Sequence, residues 1–204
     1  MCFSAAASYT ASAALLLCGA IAMNKAKPRM RMLAAIPLLF SAQQFLEGIT
    51  WQALSRGESA LMSTYAYLVF VFLVWPLWMP LAVRSISTKK REIALLNIPI
   101  AAGGFVAILA LVCIFYITPL AAITCNSIQY FTDLPPYAWK IGTIAYLTAT
   151  IPPFFIVKQR YLWLMGATLA ISYAISFIFY YQILLSIWCF FAALLSLLIL
   201  LLVW

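Results

Sequence analysis

The chain contains no histidine among its 204 residues and only four acidic residues. Histidine supplies the usual ligands of zinc, haem and non-haem iron and the usual base for proton transfer, so its absence argues against metal-dependent hydrolysis and haem chemistry. A glycine-rich phosphate loop and a Cys-x-x-Cys pair are also missing, which leaves ATP-driven and thiol-redox chemistry without a basis. We therefore expect no metal site and no cofactor.

Charged residues are scarce, at 8% of the sequence, whereas 67% of the residues are hydrophobic and the mean hydropathy is +1.08. Such a chain cannot present a polar surface to water on all sides, so lipid must solvate it. A bilayer core about 30 Å thick needs about 20 apolar residues per helix. The apolar runs predict an all-α polytopic membrane helix bundle in a single domain, residues 1–204, with seven transmembrane helices at about residues 4–23, 32–54, 61–83, 93–117, 138–157, 161–179 and 183–203.

The basic residues fall mainly in three short polar segments between the apolar runs. They are Lys25, Lys27, Arg29 and Arg31, then Arg84, Lys89, Lys90 and Arg91, and finally Lys158 and Arg160. Short loops rich in Lys and Arg remain on the cytoplasmic side during insertion, so we expect the N-terminus outside and the C-terminus in the cytoplasm. The formal charge of +8 does not indicate a nucleic-acid partner, because these residues are spread over three loops instead of forming one face. Membrane lipids are the expected partners.

Glu47 is the one acidic residue inside a predicted span. An acidic group near the centre of a membrane helix costs about 3 kcal/mol, which makes it a candidate functional group. Gln43, Gln44 and Trp51 lie three or four positions from Glu47 and share its helix face. Two interpretations remain open: a carboxylate in a buried pocket that carries a proton or holds a cationic group, and a hydrogen-bonded cluster that only joins helices.

Other polar side chains concentrate in the predicted outer halves of the helices, whereas the inner halves are largely aliphatic. This distribution predicts an outward-facing polar pocket centred on Gln43, Gln44 and Glu47, with Trp51 as a wall. Lys140 lies near the outer end of the fifth predicted helix. It is either the countercharge of Glu47 in this pocket or an interfacial residue that extends its amine to the membrane surface.

Residues 118–137 are predicted to form the one long outer loop, which is functional or packs as a lid. The loop contains Cys125, one of five cysteines in the chain. Cys2 is also predicted to lie outside, where an oxidising compartment permits a disulfide between the two. Alternatively, removal of Met1 would make Cys2 a reactive N-terminal residue.

Several short motifs stand out in the first quarter of the chain. They are Met1-Cys2-Phe3-Ser4-Ala5, Ala7-Ser8, Ile36-Pro37-Leu38, Phe40, Gln43-Gln44, Glu47-Gly48 and Trp51. In these motifs the chain resembles a domain-of-unknown-function family of bacterial multi-pass membrane proteins. The resemblance implies an integral membrane protein of bacterial type and no particular activity. We expect such a protein to lie in the bacterial inner (cytoplasmic) membrane. It brings forward Cys2, Gln43, Gln44, Glu47 and Trp51 as the residues that match the family's motifs.

These observations favour a protein that binds, senses or transports a small molecule or a lipid headgroup in the pocket around Glu47. A second hypothesis is an intramembrane enzyme that uses Glu47 as acid or base and Cys2 as nucleophile, which requires both side chains to reach one cavity. A third is a structural or assembly subunit. Such a subunit would tolerate Glu47→Gln, because glutamine keeps the hydrogen bonds and loses only the charge.

Overall fold

The structure is a computed structural model that describes residues 4–124, 126–132 and 135–203, without the side chains of Phe115 and Val203. All its longer helices except α5 are long and apolar enough to cross a membrane. These findings confirm a helical bundle and indicate an integral membrane protein. In chain order the helices are α1 (Ala5–Lys25), α2 (Pro28–Ser55), α3 (Leu61–Ile86), α4 (Lys90–Tyr116), α5 (Pro136–Thr150), α6 (Leu162–Phe179) and α7 (Tyr181–Leu202).

Helix α5 is shorter than the continuous helix predicted over residues 138–157. It ends at Thr150, and a single helical turn, Pro153–Ile156, follows it. The break has a local cause: proline disfavours helical geometry in the residue before it and cannot donate a backbone hydrogen bond, and Pro152 and Pro153 stand in succession. Because α5 has only 15 residues, it is not among the helices that are long enough to cross a membrane.

Helix α3 is distorted in its middle by a π-helical turn, Phe70–Val74, which comes just before Pro76. A π turn and a proline both interrupt the regular hydrogen-bond ladder and bend a helix. Helix α4 passes so close to this bend that a Cβ added at Gly103 would lie 1.9 Å from the carbonyl oxygen of Pro76. Glycine at position 103 therefore permits the contact between the two helices.

The outer loop predicted over residues 118–137 contains a β-hairpin that the sequence analysis did not foresee. Strand β1 (Leu120–Thr124) pairs antiparallel with β2 (Ser127–Phe131). The hairpin packs against the end of α2 and the beginnings of α3 and α7. The ring of Tyr130 stacks on that of Tyr67 with a centroid separation of 4.4 Å and nearly parallel planes. The hairpin thus covers one end of the bundle, which we call the hairpin end.

The three basic segments lie together at the opposite end of the bundle, which we call the basic end. The hydroxyl of Ser85 donates a 2.9 Å hydrogen bond to the carbonyl of Arg29, which joins the first segment to the second. Glu92 forms a 3.3 Å ion pair with Lys89 and also interacts with the backbone of Lys158. The second and third segments are thereby joined as well.

Candidate functional site

Glu47 is fully buried in α2, about two turns before the end of that helix. The hydroxyl of Ser186 in α7 donates a 2.5 Å hydrogen bond to Oε1 of Glu47. The side-chain amide of Gln44, one turn away on α2, donates a 3.1 Å bond to Oε2. Both carboxylate oxygens therefore accept hydrogen bonds, and the carboxylate connects the second helix to the last one.

Gln43 extends the same group of side chains to α3. Its Oε1 accepts a 2.6 Å hydrogen bond from the indole N–H of Trp75. Like Gln44 and Glu47, Gln43 has no exposed surface. We call these five residues, Gln43, Gln44, Glu47, Trp75 and Ser186, the polar cluster. The cluster joins three helices by hydrogen bonds between side chains far apart in the sequence.

Further side chains border the polar cluster, and one of them connects it to the hairpin. The buried thiol of Cys189 lies beside the side chains of Gln43 and Tyr67. The hydroxyl of Tyr67 donates a 3.4 Å hydrogen bond to the carbonyl of Leu185, the residue before Ser186. Because Tyr67 also stacks on Tyr130, the hairpin is in direct contact with these side chains.

Towards the basic end the polar cluster rests on apolar side chains. Trp75 stacks on Phe40 with a ring-centroid separation of 3.9 Å. Ile36 on α2 and Met79 on α3 lie one turn closer to the basic end, and both are also buried. On this side the cluster is therefore in contact with an apolar layer of α2 and α3.

Several polar atoms in and beside the cluster have no hydrogen-bond partner within the described part of the chain. They are Nε2 of Gln43, Oε1 of Gln44 and Nε1 of Trp51, and all three are buried. A buried donor or acceptor left without a partner costs about 1–3 kcal/mol. A molecule bound at this position, carrying both a donor and an acceptor, would satisfy these atoms.

The contact between α1 and α2 contains further buried polar atoms. The hydroxyls of Ser12 and Ser41 each donate to the other residue's carbonyl, at 2.8 and 2.7 Å. One turn closer to the hairpin end, on the facing sides of these antiparallel helices, lie Ser8 and Gln44. Oγ of Ser8 is buried and, among the described residues, has no partner, as is the case for Oε1 of Gln44. Two of the unsatisfied atoms, on Ser8 and Gln44, are thus at the contact between α1 and α2.

The structure brings most of the predicted site residues together. Gln43, Gln44 and Glu47 share one buried face of α2, and Trp51 follows on the same face with 5% of its surface exposed. Lys140 lies apart, because its side chain is exposed at the start of α5 and forms no ion pair in the described structure. Its pairing with Glu47 is therefore not formed, and its exposure fits the interfacial alternative.

The predicted disulfide concerns Cys2 and Cys125, which lie outside the described residues. The other three cysteines, Cys18, Cys113 and Cys189, are free. Across residues 4–124, 126–132 and 135–203, no group of three or more His, Cys, Asp or Glu side chains could hold a metal ion.

A family model matches residues 1–204 of the chain. The chain belongs to DUF6629, a family of unknown function. This match confirms, over the whole length, the resemblance to a domain-of-unknown-function family that was based on the first quarter. No curated protein and no solved structure matches the chain.

In this DUF6629 chain Trp75 belongs to the site, although the sequence did not single it out. Tryptophan is enriched at membrane interfaces, whereas Trp75 lies in the middle of α3, immediately after the π turn. A buried indole N–H needs a hydrogen-bond acceptor. A tryptophan far from the ends of a span therefore indicates a buried hydrogen-bond acceptor nearby. In the structure that acceptor is Gln43.

Proposed function

We propose that this protein is a multi-pass membrane protein that binds a small polar molecule or a lipid headgroup in the polar cluster, in a sensing or transport role. The observation that carries the proposal is the fully buried carboxylate of Glu47 beside unsatisfied polar atoms of Gln43 and Gln44. A ligand with an amine or hydroxyl donor would bond to Gln44 Oε1 beside the charge of Glu47, and an acceptor on it would meet the N–H groups of Gln43 and Trp51.

The proposed orientation has the N-terminus outside and the C-terminus in the cytoplasm of a bacterial-type cell. The supporting feature is the gathering of the three basic segments at one end, which the positive-inside rule assigns to the cytoplasm. In this orientation the segment from α5 to Lys158 makes a crossing, since Lys158 lies at the basic end beside Glu92. The chain then crosses the membrane seven times.

A sensing role is supported by the contacts between the hairpin and the site. Tyr67 touches the hairpin through Tyr130 and bonds to the carbonyl of Leu185, next to Ser186. A ligand that changes the position of Ser186 would therefore change the contacts that hold the hairpin. Transport would need the hairpin to move away from the bundle, because it covers the outward route to the cluster.

A purely structural cluster is the competing explanation. Its support is the pair of hydrogen bonds by which Gln44 and Ser186 already engage both oxygens of Glu47. Polar side chains commonly join membrane helices in this way. The two explanations differ in the expected effect of removing the charge of Glu47. A structural cluster needs only the hydrogen bonds, whereas the binding site proposed here also needs the charged carboxylate.

Native mass spectrometry of the protein, released from mild detergent, tests the proposal. We expect the wild type to retain a defined small-molecule or lipid adduct and Glu47→Gln to lose it. Glu58→Gln is the matched control, because it makes the same change at an exposed position between α2 and α3. Identical spectra for all three proteins, with no adduct, would favour the structural cluster.

A further inference from the structure

A cavity of about 120 Å³ lies between α3, α4, α5, α6 and α7, apart from the polar cluster. None of the five residues of the polar cluster is among those that line it. We call it the apolar cavity. Its walls are built mainly from aliphatic side chains, including Leu68, Val71, Val106, Leu109, Leu147 and Leu184.

An aromatic group forms one wall of the apolar cavity. The ring of Trp188 meets those of Tyr146 and Tyr173 edge to face, with centroid separations of 5.5 and 5.2 Å. Trp188 is only 6% exposed, and within the described residues its indole N–H is buried without a hydrogen-bond partner. The indole is therefore held by ring contacts and faces apolar surroundings.

The cavity lies where two pairs of helices diverge. Helix α5 packs on α3 and α4, whereas α6 packs on α7 and on the turn Pro153–Ile156. Side chains of α5 that line the cavity are partly exposed, among them Trp139 and Thr143. In a bundle that spans a membrane, partly exposed side chains of α5 face lipid.

We propose that the apolar cavity binds the end of a hydrocarbon chain of a membrane lipid. Its lining offers almost no hydrogen-bonding surface, so a polar solute would lose its hydration without compensation. Its volume of about 120 Å³ is close to that of an engineered apolar cavity of about 150 Å³ that stays dry and binds benzene. The cavity therefore holds a segment of one chain, and the rest of the lipid lies along the exposed side of α5.

Gly142 provides a way to close the cavity without disturbing the fold. It lines the cavity, and a Cβ added there would meet only Leu109 Cδ2, at the ordinary contact distance of 3.8 Å. Gly142→Leu would therefore place its side chain in the empty space. Gly104 on α4 also has open space around it but does not line the cavity. Gly104→Leu is therefore the matched control.

The test uses vesicles of phosphatidylcholine with brominated acyl chains, since bromine quenches tryptophan fluorescence on contact. The fluorescence of Trp188 is the emission of each protein minus the emission of the same protein carrying Trp188→Phe. We expect it to be quenched in the wild type and Gly104→Leu, and to recover its intensity in Gly142→Leu. Glu47→Gln should leave the quenching unchanged, which separates this site from the polar cluster.

An unquenched Trp188 in the wild type would overturn the proposal, because Trp188 lines the cavity and a brominated chain inside it would contact the indole. Equal quenching in the wild type and Gly142→Leu would overturn it too. Circular dichroism verifies that each variant keeps its helices. If Gly142→Leu fails to fold, the smaller Gly142→Val is measured in its place, and the same recovery is required.

Discussion

Ser186 and Glu47 are 139 positions apart in the chain, and the hydroxyl of one donates a 2.5 Å hydrogen bond to the carboxylate of the other. The bond is buried on both sides, since neither residue has exposed surface. In such surroundings a hydrogen bond to a charged group is stronger than in water, and its loss is more costly. The stability of the α2–α7 contact and the chemistry of the site therefore depend on the same pair.

Ser186→Ala removes the donor to Oε1 of Glu47. We expect the free energy of unfolding to fall by about 1–3 kcal/mol, because the buried oxygen loses a hydrogen bond that water cannot replace. Unfolding of the purified protein in detergent measures the change. Ser196→Ala is the control: Ser196 is also buried in α7 but bonds to Ala193 of the same helix, so we expect a loss below about 1 kcal/mol. Equal effects of the two substitutions would contradict the importance of the interhelical bond.

Gly103→Ala places a methyl group against the carbonyl oxygen of Pro76. Because backbone atoms cannot move aside as a flexible side chain can, we expect a destabilisation of about 1–3 kcal/mol. Gly104→Ala, in the next position, meets no atom within 4 Å and should stabilise the helix by up to about 1 kcal/mol. Thermal unfolding of both variants compares them. A tolerated Gly103→Ala would show that α4 does not approach the α3 bend this closely.

Tyr130→Leu removes the ring that stacks on Tyr67. We expect faster amide hydrogen exchange in β1 and β2, because an aromatic pair that holds the hairpin on the bundle is lost. Phe131→Leu is the matched control, since Phe131 is adjacent in β2 and 42% exposed. Unchanged exchange in Tyr130→Leu would mean that other contacts hold the hairpin.

The orientation can be measured by labelling single cysteines in intact cells, in a chain whose five native cysteines are replaced by alanine. Ile123→Cys, at an exposed position of the hairpin, should react with a membrane-impermeant maleimide. Arg91→Cys, exposed at the basic end, should react only after the cells are lysed. The reverse pattern would place the basic end outside and contradict the positive-inside assignment.

Hydropathy and helical spacing predicted the helices and the clustering of Gln43, Gln44 and Glu47, because both signals are local in the sequence. Ser186 and Trp75 could not be assigned as their partners, since those contacts depend on how α7 and α3 pack on α2. For Lys140 the sequence left two alternatives open, an ion pair with Glu47 and an interfacial position. In the structure Lys140 is exposed, so depth alone did not identify a partner.

Two features of the fold were missed for different reasons. The break after Thr150 follows from Pro152 and Pro153, and the apolar run through them concealed it, since hydropathy does not register the missing backbone donors. The hairpin is short and its strands do not alternate cleanly between polar and apolar residues, so the sequence predicts only a long outer loop there. Its register depends on packing against the bundle, which the sequence alone does not reveal.

The central claim is that the unsatisfied atoms around Glu47 hold a bound molecule. A crystal structure of the protein from mild detergent, at a resolution that shows ordered water, tests it most directly. We predict density for a small molecule or a lipid headgroup within hydrogen-bonding distance of Gln43 Nε2 and Gln44 Oε1. A site with no such density, in which these atoms bond only to water or to neighbouring side chains, would contradict the claim.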